Sequence, residues 1–349
     1  MKQDKGQQAR PVNHLALLRA LTLAGRGPAV DPNPRVGAVV TDGAGRIVGE
    51  GWHRGAGSPH AESAALAAAG DRARGGTVYV SLEPCCHTGR TGPCAQALID
   101  AGITRVVYAQ TDPNPVAHGG ADRLRAAGVE VVGGHLAAEA EALNDAWTFA
   151  MRHGRPRVVW KTATSLDGRS AAADRTSRWI TSVATRMEGH RLRAGCGAIM
   201  VGTGTAHADD PALTVRLDEP AKVPPRQPLR VVLGERELPP DAQLHDDAAP
   251  TLHLRHRDPA AALAALHDRG VRQVLLEGGP TLAAAFLRAG LVDRIVWHLA
   301  PMLLGAGLTL PDFGVGTLTE ARRLVIREVR PADPDLIVVA DVAGAPITN

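Results

Sequence analysis

His60, Glu62, Cys85 and Cys94 are the residues of this chain whose types and spacing best suit chemistry. One imidazole and two thiolates fit a tetrahedral zinc and leave its fourth position open, the pattern of a catalytic site rather than a structural one. Zinc in such a shell lowers the pKa of its water to about 7. Hydrolysis at an amino-substituted ring carbon also needs a proton carrier, because water must lose a proton and the departing amine must gain one. Glu62, two residues after His60, takes the role of general acid and base. Residues two apart diverge in mid-helix, so His60 and Glu62 share one metal only where a helix starts. A helical stretch over 62–69 starts there. Cys94 also opens a helical stretch, and a helix N-terminus favours a thiolate. Zinc nucleobase deaminases carry H-x-E followed by P-C-x-x-C, with the Glu off the metal. Here eight residues separate the two cysteines. Cys86 and His87 adjoin a ligand and are expected to stay off the metal; Cys196 reads as a buried small hydrophobe.

The elements that must position these residues alternate between helix and strand. The spacing predicts a helix over 14–25 with Asn13 as its N-cap, and strands at 36–40 and 47–51 around a turn at Asp42-Gly43. Helices follow over 62–69, 94–101, 120–127 and 137–151, interleaved with strands at 77–82, 105–109 and 129–132. This rhythm implies a sheet covered by helices on both faces. The helix-breaking segment His153-Gly154-Arg155-Pro156 is the expected linker between a domain over 12–153 and another over 156–345. The second series starts at Val158 and has strands at 198–201, 229–233, 271–276, 294–298, 324–329 and 335–339, with a Pro-rich loop at 219–228.

Two glycine-rich turns in the second half follow strands, at Gly202–Thr205 and Gly278-Gly279, and the latter leads into a helix over 281–289. Such turns let backbone amides approach a phosphate at a helix N-terminus. His207 stands in the third glycine's place of G-x-G-x-x-G, so the dinucleotide fingerprint is incomplete.

Composition bounds the partners. The 349 residues carry a net charge of +3, with five Trp, two Tyr and three Phe and no basic run of five, which argues against nucleic-acid binding. No apolar run reaches the roughly 20 residues of a membrane span. The apolar stretch 15–24 is broken by Arg19 and leads to no cleavage site, so a cytoplasmic enzyme without a signal peptide is expected.

Several blocks together resemble one family: DPNPRVG over 31–37, HAE over 60–62, EPCCHTGRTGPC over 83–94 and DPNP over 112–115. KTATSLDG over 161–168, SRWIT over 177–181, ADDPALTVR over 208–216 and EGGPTL over 277–282 continue the likeness, which spans about 12–345. The family is that of the bifunctional riboflavin-biosynthesis deaminase/reductases, whose own cysteine spacing is the eight-residue one seen here. The resemblance implies a cytidine-deaminase-like α/β/α domain and a dihydrofolate-reductase-like α/β domain. It implies hydrolytic deamination of 2,5-diamino-6-ribosylamino-4(3H)-pyrimidinone 5′-phosphate, then reduction of the ribosyl group to ribityl with NADPH, giving 5-amino-6-ribitylaminouracil 5′-phosphate. It also implies a homodimer or larger. By the same likeness Asn33, His53, Arg90, Asp112 and Asn114 surround the deaminase substrate, with Arg90 holding the phosphate. Lys161, Ser177, Arg193, Leu213, Arg216 and Glu277 fall on the reductase substrate side, with Arg193 and Arg216 as phosphate ligands. Ala163, Trp179, Thr205, Asp209 and Gly279 fall on the NADPH side, although context alone would put Trp179 in a core. Asp31 and Gly234 depart from the family pattern, which leaves a direct role for the first and a cofactor contact for the second open. The zinc motif taken alone also fits a nucleoside or RNA-base deaminase with an accessory nucleotide-binding domain, or a structural zinc module on a nucleotide sensor.

Overall fold

Helix α1 (His14–Ala24) begins where the Asn13 side chain accepts from the Ala16 amide at 3.2 Å. Ala16, Leu17, Ala20, Leu23 and Ala24 form its buried face. The computed structural model describes residues 11–86, 92–219, 223–224, 226–309 and 312–343. These fall into two units, Met1–Arg152 and His153–Asn349.

In the first unit, β1 (Gly37–Thr41) and β2 (Ile47–Trp52) form an antiparallel hairpin, and the Asp42 carboxylate accepts from the turn amides of Ala44 and Arg46. α2 (Ala61–Ala69), β3 (Thr77–Leu82), α3 (Cys94–Asp100), β4 (Arg105–Gln110), α4 (Gly120–Ala126) and β5 (Glu130–Gly133) follow. The sheet order is β2-β1-β3-β4-β5, antiparallel as far as β3 and parallel from β3 to β5. One face packs Ala38, Val40, Val78, Val80 and Val106 against Ala61, Ala65, Ala95, Leu98 and Leu124; the other packs Val39, Tyr79 and Val107 against α1. Small residues bring α2 down onto β2. A Cβ on Gly51 would come within 2.5 Å of the Ala61 carbonyl and the Ala65 amide.

The single helix expected over 137–151 is two, α5 (Ala137–Leu143) and α6 (Asp145–His153), separated at Asn144. The buried Asn144 side chain accepts from the Arg35 amide at 2.8 Å and donates to the Arg35 carbonyl at 2.9 Å. Its amide thus pairs with a distant backbone like a strand neighbour, and the helix yields at that residue.

The second unit contains β6 (Arg157–Ser165), β7 (Arg169–Ala172), α7 (Val183–Ala194), β8 (Ala198–Gly202), α8 (Thr203–Asp209), β9 (Leu229–Leu233) and β10 (Thr251–Leu254). It continues with α9 (Pro259–Asp268), β11 (Gln273–Leu276), α10 (Pro280–Arg288), β12 (Arg294–Ala300), β13 (Gly307–Thr309), β14 (Leu324–Ala332) and β15 (Asp335–Val342). The main sheet runs β10-β9-β8-β11-β6-β12-β15-β14, parallel as far as β12 and antiparallel beyond; β7 and β13 form a separate pair. Val158, Trp160, Val274, Leu276 and Ile295 face α9 and α10, whereas Val159, Leu275, Val296 and Ile337 face Leu192 of α7. The short strands β7, β10 and β13 and the polar helix α7 were not evident from periodicity. Part of the Pro-rich loop, Pro220–Lys222 and Pro225, lies outside the described residues.

Candidate functional site

His60 is the N-cap of α2, with extended backbone at φ −67° and ψ 159°. Its ring therefore leaves the chain before the first turn, and Glu62 follows inside that turn, 4% exposed. Cys85 lies just past the end of β3, and Cys94 is the first residue of α3. The three ligand atoms lie within 4.8 Å of one another. His60 Nδ1 is 3.2 Å from Cys94 Sγ and 3.7 Å from Cys85 Sγ. A tetrahedral zinc with its usual N and S bond lengths would hold such atoms about 3.6 Å apart, so the donor set fits that metal in spacing and in kind.

The electrostatics are those of a buried charge cluster. Contact with the Cys94 thiol pulls the Cys85 thiol down to about 4 against the opposing effect of burial, with His60 helping. Cys94 is driven upward by Cys85 and by burial. The Cys85 contact raises His60 above its ordinary value. Burial lifts the Glu62 carboxyl to about 7, and the Cys85 charge adds to the rise.

Around this centre, His53 is buried and stacks edge-on to His60 with ring centroids 5.7 Å apart. Its Nδ1–H donates to the Pro59 carbonyl at 3.2 Å, which leaves Nε2 to accept from the Asn33 amide at 3.2 Å. Asp31 accepts from the amides of Asn33 and Ala56, so it ties down the loop that presents Asn33. Asp112 is buried, and its carboxyl is pushed up to about 6 mainly by burial. It accepts from the Asn114 amide at 2.8 Å, and Asn114 accepts in turn from Val116, closing a tight loop. Glu83 anchors that loop by accepting from the amides of Asp112, Gly119 and Ala121, a role that its place beside Pro84-Cys85 did not reveal. Cys86 turns away and donates to the His118 carbonyl at 2.7 Å. Cys196 is buried, and burial pushes its thiol up to about 12. Arg90 and His87 lie outside the described residues.

In the second unit, Lys161, Arg193 and Glu277 meet on one sheet face. Arg193 grips Glu277 bidentately at 2.8 and 2.7 Å and donates to the Thr214 carbonyl at 3.0 Å. The Arg193 fork is engaged by Glu277, whereas Arg216 is exposed. Burial and Arg193 lower the Lys161 ammonium below its ordinary value, against the pull of Glu277. Leu213 is buried with φ +48°, next to the loop that carries Arg216. Ser177 is exposed. Trp179 is 66% exposed, which excludes the core-packing role that context favoured; Arg186 lies 4.3 Å from its ring centroid. Arg178 donates to the Asp209 carbonyl at 2.7 Å.

The glycine turns lie at the carboxyl ends of β8, β9 and β11, which are neighbours in the sheet. Gly279 caps α10, and its amide donates to Thr205 Oγ1 at 3.0 Å. Gly234 has φ +142°, and a Cβ there would lie 2.8 Å from Thr203 Oγ1, so this turn favours glycine. The carboxyl ends of these three parallel strands thus carry glycine turns and one helix N-terminus, backbone of the kind that a phosphate can approach closely.

A His-Cys-Cys group spaced for zinc, with a buried carboxylate beside it, is the centre of a zinc deaminase, and a largely parallel α/β unit follows it in the same chain. Residues 12–110 match the cytidine and deoxycytidylate deaminase zinc-binding region, and residues 156–338 match the RibD C-terminal domain. The riboflavin biosynthesis protein RibD of Mycobacterium tuberculosis is 52% identical over 88% of this chain and 90% of its own length; that of Escherichia coli is 42% identical over 92% and 96%. The structure of Acinetobacter baumannii RibD superposes with a TM-score of 0.83 at 36% identity, over 94% of this chain and 98% of that one. A Thermotoga maritima diaminohydroxyphosphoribosylaminopyrimidine deaminase/5-amino-6-(5-phosphoribosylamino)uracil reductase gives 0.81 at 31% identity with the same coverage. The chain belongs to the RibD family of bifunctional riboflavin-biosynthesis deaminase/reductases. No helix among the described residues is long and apolar enough to cross a membrane.

Proposed function

We propose that the unit over 12–153 deaminates the diaminopyrimidine ribosylamino phosphate named for the Thermotoga relative, and that the unit over 156–345 then reduces its ribosyl group with NADPH. The observation that carries the first step is the convergence of His60, Cys85 and Cys94, with Glu62 buried in the turn that His60 caps. Zinc, held by those three side chains, supplies Lewis acidity and an acidified water when bound. Glu62 receives a proton on a carboxylate oxygen and returns it to the departing amine. The Asn33 amide, aimed by His53, and the Asp112–Asn114 loop hold the ring edge, and Arg90 holds the phosphate.

In the reductase pocket Arg216 meets the phosphate, while Lys161, Ser177, Arg193, Leu213 and Glu277 surround the ribosyl group. The Arg193–Glu277 pair acts as a rigid wall rather than as an anion ligand. Ala163, Trp179, Thr205, Asp209 and Gly279 take the NADPH side. NADPH is the hydride source when bound, and these residues supply position and charge. The reading extends to a cytoplasmic homo-oligomer, supported by the apolar residues on the edge strand β14, where Ile326 is 63% and Val329 57% exposed.

The test is a coupled assay on the purified chain with the diaminopyrimidine phosphate. Ammonia release should precede NADPH oxidation, and chelation of zinc should stop both, while the deaminated intermediate should still be reduced. Ammonia release without any NADPH oxidation would favour a deaminase with an accessory nucleotide-binding domain.

A further inference from the structure

His298 lies on β12 with 0% exposure, and neither of its ring nitrogens has a hydrogen-bond partner among the described residues. An unsatisfied buried polar group is destabilising, and the great majority of such groups in folded proteins are paired. An apolar residue would serve better if the position were only core. Its place explains what it is for. In the parallel ladder His298 stands opposite Ala163, and Val296 stands opposite Lys161. Val159 and Val296 share the sheet face beneath α7, so Lys161, Ala163 and His298 share it too. Lys161 and His298 are therefore diagonal neighbours on adjacent strands, a spacing that a long side chain bridges.

The two groups are complementary. Glu277, the carboxylate that acts on Lys161 electrostatically, is held by two nitrogens of the Arg193 guanidinium, and among the described residues Lys161 closes no ion pair. Lys161 thus has ammonium donors to place, and His298 has ring nitrogens to be met. Across the next strand His298 faces Ile337, and beyond it Arg330 is drawn off by Glu188 of α7, so that cation does not compete for the imidazole. Burial, with Lys161 nearby, depresses His298 to about 3, which keeps a lone pair available on the ring throughout the neutral range.

We propose that His298 is a positioning residue of the reductase, the acceptor that fixes the Lys161 ammonium, directly or through one water, between the ribosyl side of the pocket and the nicotinamide side marked by Ala163. The inference rests on the placement of Lys161 in the reductase pocket given above. It extends that placement to a residue without any motif, at the junction of the two subsites.

The experiment measures steady-state reduction of the deaminated intermediate by the full chain, with deamination as internal control. His298→Leu removes the acceptor at similar volume, His298→Gln keeps one, and Lys161→Met removes the ammonium. His298→Leu should lower the reductase kcat about 10- to 100-fold, the cost expected of a misplaced reacting group. The KM for NADPH, the thermal midpoint and deamination should hold, and His298→Gln should recover most of the lost kcat. If His298→Leu does not fold, His298→Met takes its place. A folded apolar variant with kcat and KM within twofold of the parent, beside an inactive Lys161→Met, overturns the inference alone. A fully active Lys161→Met overturns the pocket assignment on which it rests.

Discussion

Replacing Glu62 by Gln tests the division of labour at the metal centre. The side chain is 4% exposed, and the amide is isosteric with the carboxylate it replaces. The substitution leaves His60, Cys85 and Cys94 untouched and removes only the group that carries a proton. Among the described residues the carboxylates nearby are engaged elsewhere, Glu83 by three backbone amides and Asp112 by the Asn114 amide. The whole contribution of a general acid and base should therefore be lost, about 10²- to 10⁴-fold in rate, or roughly 3–5 kcal/mol of barrier. Folding should not suffer, because burial already disfavours the charged form of Glu62. The assay is ammonia release under saturating substrate, with zinc content measured by atomic absorption and reduction of the deaminated intermediate measured beside it. Deamination within tenfold of the parent would refute the proton-carrier role. Loss of zinc from the variant would show instead that Glu62 is a ligand.

Three further outcomes are expected. Arg216→Ala should raise the reductase KM for the phosphorylated substrate by tenfold or more, about 1.4 kcal/mol, and leave ammonia release unchanged; equal loss of both activities would show that the sites are not separable. Asn144→Ala removes both side-chain bonds to the Arg35 backbone and should destabilise the first unit by about 1–3 kcal/mol, read as an earlier urea midpoint for loss of deaminase activity. His298 titrates at about 3 in the folded chain, because of burial and then Lys161, with Arg330 lowering and Glu277 and Glu188 opposing. With an unfolded value of about 6.5, its contribution to stability is complete above pH 6.5 and is lost as pH falls towards 3, about 2 kcal/mol by pH 5. The stability of His298→Leu should accordingly fall less between pH 7 and pH 5 than that of the parent.

The parts of the site that one stretch of chain carries were legible in the sequence. His60 and Glu62 share one helix start, and Cys85 and Cys94 bracket one loop, so residue type and motif together predicted that His60, Cys85 and Cys94 converge. What escaped depends on partners far apart in sequence. Arg193 reads as a free cation until Glu277, 84 positions later, fills its fork. Asn144 reads as mid-helix until Arg35, 109 positions earlier, claims its amide. His298 gives no signal at all, since its meaning comes from ladder register against Ala163. The strands β7, β10 and β13 have only three or four residues each, too few for a period to show.

Anomalous diffraction at the zinc edge on crystals of the full chain bears most directly on the central claim. One peak is expected, at about 2.0–2.1 Å from His60 Nδ1 and about 2.3 Å from the sulfurs of Cys85 and Cys94, with no fourth protein atom in the shell. A peak that includes Glu62 or Cys86 among its ligands, or the absence of any peak at these three side chains in zinc-replete protein, would contradict the account.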